Sequence, residues 1–150
     1  MNVLVLPGDD IGPEITAAAL SVLERANAVH SLGLEFETRE VGMASYRRAR
    51  TTLPDSIVDE ALAADGVVLG PCGMTEYPPR EEGGINVPGM IRKRLDLYAN
   101  IRPARSRSGL KKALAKLDCL VVRENTKGFY SDRNMFLGSG EPAGSNRPRD

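Results

Sequence analysis

Asn2-Val3-Leu4-Val5-Leu6 is a short apolar run, rich in β-branched residues, that stops at Pro7-Gly8. Such a run reads as a strand buried on both faces rather than half of an exposed hairpin. The next segment, Asp9 to Glu14, opens a helix, with Pro13 near the first helical position and Glu14 in the positive first turn. Ile15, Ala18, Ala19, Val22, Leu23 and Ala26 recur at three- and four-residue steps and predict the inward face of that helix. Gly33 ends the region. Leu34 to Val41 alternates apolar with charged residues, as a half-exposed strand does. Leu53-Pro54-Asp55 starts a second helix with Ile57, Val58, Ala61 and Leu62 inward, and Val67-Val68-Leu69 is another buried strand. A helical stretch is expected around Gly89 to Asp96, an extended segment over Leu97 to Pro103, and a further apolar strand over Asp118 to Val122.

Strands and helices in alternation, with short apolar strands among them, predict an α/β fold: a mostly parallel sheet flanked by helices. Residues 71–84 form a loop rich in Gly and Pro after the Val67–Leu69 strand. In open α/β sheets, ligands sit beyond the carboxyl ends of such strands. No internal repeat or heptad pattern is present, and Gly138 to Asp150, with Ala143 its one apolar side chain, is expected to be a disordered tail.

Charge and composition narrow the function. Twenty Lys and Arg balance twenty Asp and Glu, which excludes a dominant polyanion-binding field. No apolar run approaches the roughly 18 residues of a membrane span, and the first residues lack the basic and apolar regions of a secretory signal. Cys72 and Cys119 form no metal or redox motif, and isolated thiols fit a reducing cytosol, so a cytoplasmic location is expected. His30 stands at a helix end with no second ligand near it in the sequence, which disfavours a metal role.

The chemistry lies in the arginines. Between residues 92 and 107 there are six basic side chains, Arg92, Lys93, Arg94, Arg102, Arg105 and Arg107, against the single Asp96. Arg123 ends the next strand. The planar guanidinium fork grips carboxylate or phosphate through paired hydrogen bonds, so the cluster points to a small substrate with more than one anionic group. A solvated basic face is the plainer reading of a charge run. Arg102 argues against it, because it sits between Ile101 and Pro103 in an extended segment, where burial without an anion is costly. A nucleic-acid reading has little support without aromatics or net charge. Tyr130, seven residues after Arg123, is a possible proton donor if guanidinium groups lower its pKa; otherwise it is a core-edge tyrosine. The Gly8-x-x-x-Gly12 turn would let backbone approach a ligand at a helix start, but it is neither a dinucleotide fingerprint nor a Walker loop.

Four segments together resemble the β-decarboxylating dehydrogenases, the isocitrate, 3-isopropylmalate, homoisocitrate and tartrate dehydrogenase family. They are Leu6 to Glu14, the Leu69-Gly70 strand end with its loop, Arg92 through Asn100-Ile101-Arg102-Pro103, and Val122-Arg123-Glu124-Asn125-Thr126-Lys127-Gly128-Phe129-Tyr130. The resemblance spans about residues 2–137. It implies an isopropylmalate-dehydrogenase-like fold and an oxidoreductase using NAD, with NADP possible. The reaction would be oxidation of an (R)-malate-type 2-hydroxy acid, then loss of its β-carboxylate, with Mg²⁺ or Mn²⁺ in the complete enzyme and a homodimer as its assembly. By motif position, Arg92, Arg102 and Arg123 look like the substrate clamp, and Tyr130 like the residue that protonates the enol. Ile11 and the loop residues Gly70, Cys72, Gly73 and Met74 look like the near side of the nicotinamide site.

Three departures matter. Asp10 replaces the usual Gly of the first turn, and Asp tolerates positive φ better than most residues. Lys127 stands where related sequences commonly have Glu. Ile85 to Met90 has neither the Ser-x-Asn pattern of isocitrate enzymes nor the Glu-x-x-Leu-Leu pattern of isopropylmalate enzymes, which points to a tartrate- or malate-like substrate or to an uncharacterised one. Family members run to about twice this length, and no residue matches their metal-binding aspartates or catalytic lysine. The expectation is therefore a truncated member: residues 1–90 as the first part of the larger domain and 91–137 as the start of the second. A catalytically inactive fragment is the alternative.

Overall fold

The computed structural model describes residues 1–106 and 117–125. The chain divides into two compact units, Met1–Leu95 and Asp96–Asp150.

The first unit is built on a parallel three-stranded sheet. Strand β1 (Asn2–Leu6) lies in the middle, between β2 (Glu35–Thr38) and β3 (Gly66–Leu69). Val3 pairs with Phe36 on one side and Leu4 with Val67 on the other. A central strand must be apolar on both faces, and Leu4, Val5 and Leu6 are buried accordingly. Leu4 and Leu6 join Ile57, Val58 and Ala61 of α3 (Asp55–Ala63) and Val87 and Ile91 of α4 (Val87–Arg94) in one core, with Val41 and Leu53.

Helix α1 (Gly12–His30) forms where expected but is rotated from the predicted orientation. Ile15, Ala18, Ala19 and Val22 are exposed, Val22 by 69%. The residues turned inward are Gly12 and Thr16, followed by the half-buried Leu20, Leu23, Ala26 and Asn27. Leu23 and Ala26 thus face inward as expected, while Gly12, Thr16 and Asn27, small or polar, take the other inward positions. A Cβ on Gly12 would strike the Pro7 carbonyl, so only glycine lets the first turn seat there. At the far end the Asn27 side chain donates to the Leu34 carbonyl (2.8 Å) and accepts from the Leu34 N–H (3.0 Å). Leu62, also expected inside, is 58% exposed on α3.

Helix α2 (Gly42–Ala49) has no counterpart in the hydrophobic pattern, because its sequence is largely polar. The 71–84 loop contains two single 3₁₀ turns, Met74–Glu76 and Arg80–Glu82. The strand expected over Leu34 to Val41 contracts to the four residues of β2, where Phe36 is half-buried. Helix α4 begins at Val87, two residues before the predicted start, because Asn86 caps it: Oδ1 accepts the Gly89 N–H at 2.9 Å.

The second unit contains an antiparallel pair, β4 (Ala99–Arg105) and β5 (Asp118–Glu124), in register from Ala99↔Glu124 to Arg105↔Asp118. Tyr130, Arg107, Lys127 and the 138–150 tail lie outside the described residues.

Candidate functional site

At the carboxyl ends of β1 and β3 two turns pack tightly. The Asp9 N–H donates to the Pro71 carbonyl at 2.8 Å, and a Cβ on Gly8, whose φ is +80°, would collide with that same carbonyl. The close approach that Gly8 and Gly12 permit is thus one turn against the other. Asp10 takes the left-handed conformation, φ +52°, as its replacement of glycine requires.

Asp9 is the hub of this end. Its carboxylate, almost fully buried, accepts the Met43 N–H at 2.7 Å, the Gly73 N–H at 3.3 Å and the Tyr77 hydroxyl at 2.5 Å. It therefore fastens the β1 turn, the start of α2 and the loop after β3 to one another. Burial, reinforced by the hydrogen bond to Asp9, pushes the Tyr77 phenol far above its ordinary range, so Tyr77 is a permanent donor. Burial also raises the Cys72 thiol, whose Sγ–H donates to the Gly70 carbonyl at 3.7 Å. Asp9 and Tyr77 escape a sequence reading because their partners are 34 to 68 residues away.

The residues expected at the nicotinamide site gather at this end. Ile11 is 57% exposed at the start of α1, and Met74 is 47% exposed in the loop. Cys72 and Gly73 are half-buried, and Gly73 abuts the Asp10 carboxylate. Gly70 is buried, closed over by the Pro7 carbonyl and the Thr16 hydroxyl. Two exposed apolar side chains and the exposed Asp10 carboxylate at this end suit a flat, cationic nicotinamide ring better than a pyrophosphate. For a metal the outcome differs. Among the described residues no three His, Cys, Asp or Glu side chains gather as ligands, so they do not fit Mg²⁺ or Mn²⁺.

The arginines sort into two groups. Arg94 is paired with Asp55 (3.1 Å) and Arg105 with Asp118 (2.9 Å), both on the surface. Arg92 sits in the last turn of α4, half-buried, its Nε donating to the Pro88 carbonyl at 2.9 Å. The position of α4 traces to Thr52, whose fully buried hydroxyl donates to the Ile85 carbonyl (2.8 Å) and accepts the Ile85 N–H (2.7 Å), just ahead of the Asn86 cap.

Arg102 and Arg123 come together in the second unit. Arg102 pairs with Val121 and Asn100 with Arg123, and side chains of directly paired residues share a face. Arg102 and Arg123 are therefore diagonal neighbours, roughly 7–8 Å apart at the backbone. Ile101, Pro103, Leu120 and Val122 occupy the other face together with the Arg105–Asp118 pair. Arg102 is exposed rather than buried, as are Ile101, Leu120 and Val122 on the other face of this pair. Its Nε donates to Asn100 Oδ1 at 2.9 Å.

The chain thus carries two arginines on one strand face of its second unit and, in its first, two turns packed together at the carboxyl end of a parallel sheet. Comparison with known proteins is specific. The profile of the isocitrate/isopropylmalate dehydrogenase family matches residues 2–143, and the chain belongs to that family. It is 40% identical over 155 residues to a 3-isopropylmalate dehydrogenase of Xanthomonas euvesicatoria pv. vesicatoria, covering 93% of this chain and 43% of that protein. With a 3-isopropylmalate dehydrogenase of Pseudomonas fluorescens it shares 42% identity over 138 residues, or 86% of this chain and 38% of the relative. The crystal structure of isocitrate dehydrogenase from Methylococcus capsulatus superposes with a TM-score of 0.70 at 33% identity, over 95% of this chain and 40% of that one. The chain thus spans less than half the length of the relatives it matches. No helix among the described residues is long and apolar enough to cross a membrane.

Proposed function

We propose that the protein carrying this chain is an oxidoreductase that oxidises and decarboxylates a small (R)-malate-type 2-hydroxy acid, and that this chain supplies its carboxylate clamp. The observation that supports this most is the shared face of Arg102 and Arg123, from which the ion-paired Arg105 is excluded. Two guanidinium groups at that spacing hold a dicarboxylate in one orientation and fix the hydroxyl-bearing carbon for reaction. NAD, or NADP in its place, supplies the hydride acceptor when bound. Ile11, Met74 and the loop held by Asp9 and Tyr77 form one wall for its nicotinamide ring and keep water from it. Arg92 and Tyr130 take their roles, third clamp and proton donor to the enol, from the family resemblance. A homodimer is the assembly that goes with this reading.

The substrate is small on this reading. In the segment before Arg92, Asn86 is engaged in capping α4, Val87 is fully buried and Met90 packs against the core. These side chains are turned to the fold and leave little to recognise a large substituent, which favours malate or tartrate.

The test is reduction of NAD⁺ and NADP⁺ at 340 nm with Mn²⁺ and D-malate, tartrate, isocitrate or 3-isopropylmalate. D-malate or tartrate is expected to give the highest kcat/KM. Preference for 3-isopropylmalate would overturn the substrate assignment, and no turnover of any of the four would overturn the reaction.

A further inference from the structure

Arg92 and Arg102 share a feature that neither the motif nor the fold requires: each is held by its Nε. Arg92 donates Nε–H to the Pro88 carbonyl and Arg102 donates Nε–H to the Asn100 side chain, both at 2.9 Å. In neither residue do the two terminal nitrogens bond to any described residue. An arginine has five N–H donors in a rigid plane, and fixing the Nε side settles where the other four point. A carboxylate then meets the guanidinium end-on, through Nη1 and Nη2.

For Arg92 the anchor is backbone. For Arg102 it is the side chain of Asn100, two residues back on the same face of β4 and directly opposite Arg123 on β5. A β-strand side chain of seven atoms and exposed position would otherwise sample many rotamers, and an oriented fork loses less freedom on gripping an anion. Asn100 is also the one member of this face whose side chain is an uncharged acceptor for Arg102, so it orients the cation without neutralising it. Aspartate there would hold the arginine but compete with the substrate for its charge.

We propose that Asn100 is the positioning residue of the carboxylate clamp, setting Arg102 for end-on capture of a substrate carboxylate. The inference rests on the dicarboxylate reading of the arginine face.

The experiment uses the full chain with ¹⁵N-labelled arginine, following the Arg102 Nε–H by NMR while D-malate is titrated. In the unsubstituted chain, the Arg102 Nε–H exchanges slowly with water and shifts as D-malate saturates. Asn100→Ala is expected to speed that exchange and to weaken D-malate binding, each by about tenfold, the scale of one lost hydrogen bond to a charged group. Asn100→Asp should restore slow exchange while D-malate still binds weakly, a split that simple loss of structure would not produce. If the unsubstituted chain shows no response to D-malate, the dicarboxylate reading falls and this proposal with it. If it binds and Asn100→Ala binds equally well, or leaves the Nε–H exchange unchanged, the role given to Asn100 alone is overturned.

Discussion

The Tyr77 hydroxyl donates to the Asp9 carboxylate at 2.5 Å, joining the loop after β3 to the turn after β1 across 68 residues of sequence. The same carboxylate holds two backbone N–H groups, so its removal strands three donors while removal of the phenol strands none. Asp9→Ala is therefore expected to destabilise the first unit by about 3 kcal/mol and Tyr77→Phe by about 1 kcal/mol. The double variant should cost less than the sum, because Tyr77 has no acceptor to lose once Asp9 is gone. Urea denaturation of the four proteins measures the coupling; strict additivity would mean the bond contributes nothing to stability.

Much of this arrangement is legible in the sequence, and the remainder has physical reasons for being hidden. Strands β1 and β3 follow from short apolar runs and β2 from an alternating one, and the Arg102–Arg123 face follows from motif spacing once the strands are paired. The rotation of α1 is not legible, because Gly12, Thr16 and Asn27 set it through contacts to Pro7 and Leu34 that carry no hydrophobic period. Helix α2 is missed for a related reason: Ser45 is fully buried and donates to the Thr51 carbonyl, so a polar residue occupies the inward position. Asp9 looks in sequence like one more turn aspartate, and only the fold shows that it is buried with three donors.

Stability should fall at alkaline pH in a way that depends on Tyr77. Its phenol is raised in the folded protein, chiefly by burial, from an ordinary value of 10.0, and Cys72 is raised from 9.0. Between those ordinary values and the raised folded ones, the unfolded chain has released protons that the native chain retains. It then binds fewer protons than the native state, and stability decreases as pH rises. The stabilisation is intact below about pH 9 and is lost progressively above it. Tyr77→Phe should flatten the decline above pH 10, measured as urea midpoint against pH; an unchanged slope would contradict the buried-phenol assignment.

The two thiols should react at very different rates. Cys119 is exposed on the arginine face of β5, whereas Cys72 is half-buried with its thiol raised by desolvation. Iodoacetamide at pH 7.5 is expected to alkylate Cys119 at least about tenfold faster than Cys72, read by peptide mass spectrometry. Equal rates would place Cys72 in contact with solvent and loosen the packing ascribed to the Gly70–Tyr77 loop.

Thr52 carries a load out of proportion to its size. Its hydroxyl is both donor and acceptor to Ile85, inside the core and immediately ahead of α4. Valine has nearly the same shape but would leave the Ile85 N–H and carbonyl without that partner, so Thr52→Val should cost about 2 kcal/mol. Thr52→Ser keeps the hydroxyl and loses one methyl, and should cost about 1 kcal/mol. The order of the two thermal midpoints decides it: valine above serine would show that packing outweighs the hydrogen bonds.

The sharpest contrast lies between two arginines three residues apart. Arg102 stands on the face shared with Arg123, while Arg105 stands on the opposite face in an exposed ion pair with Asp118. Lysine keeps the charge of either but cannot form the two parallel bonds of a guanidinium with a carboxylate. In the intact protein carrying this chain, Arg102→Lys should lower kcat/KM for the preferred 2-hydroxy acid by about 100-fold, some 2.7 kcal/mol of transition-state binding. Arg105→Lys should stay within about twofold, because an exposed pair of this kind contributes little and faces away from the clamp. Both variants should unfold within about 0.5 kcal/mol of the parent, since neither side chain packs in the core. Equal losses from the two substitutions would mean that charge alone matters at this hairpin, and the face-specific clamp would have to be abandoned.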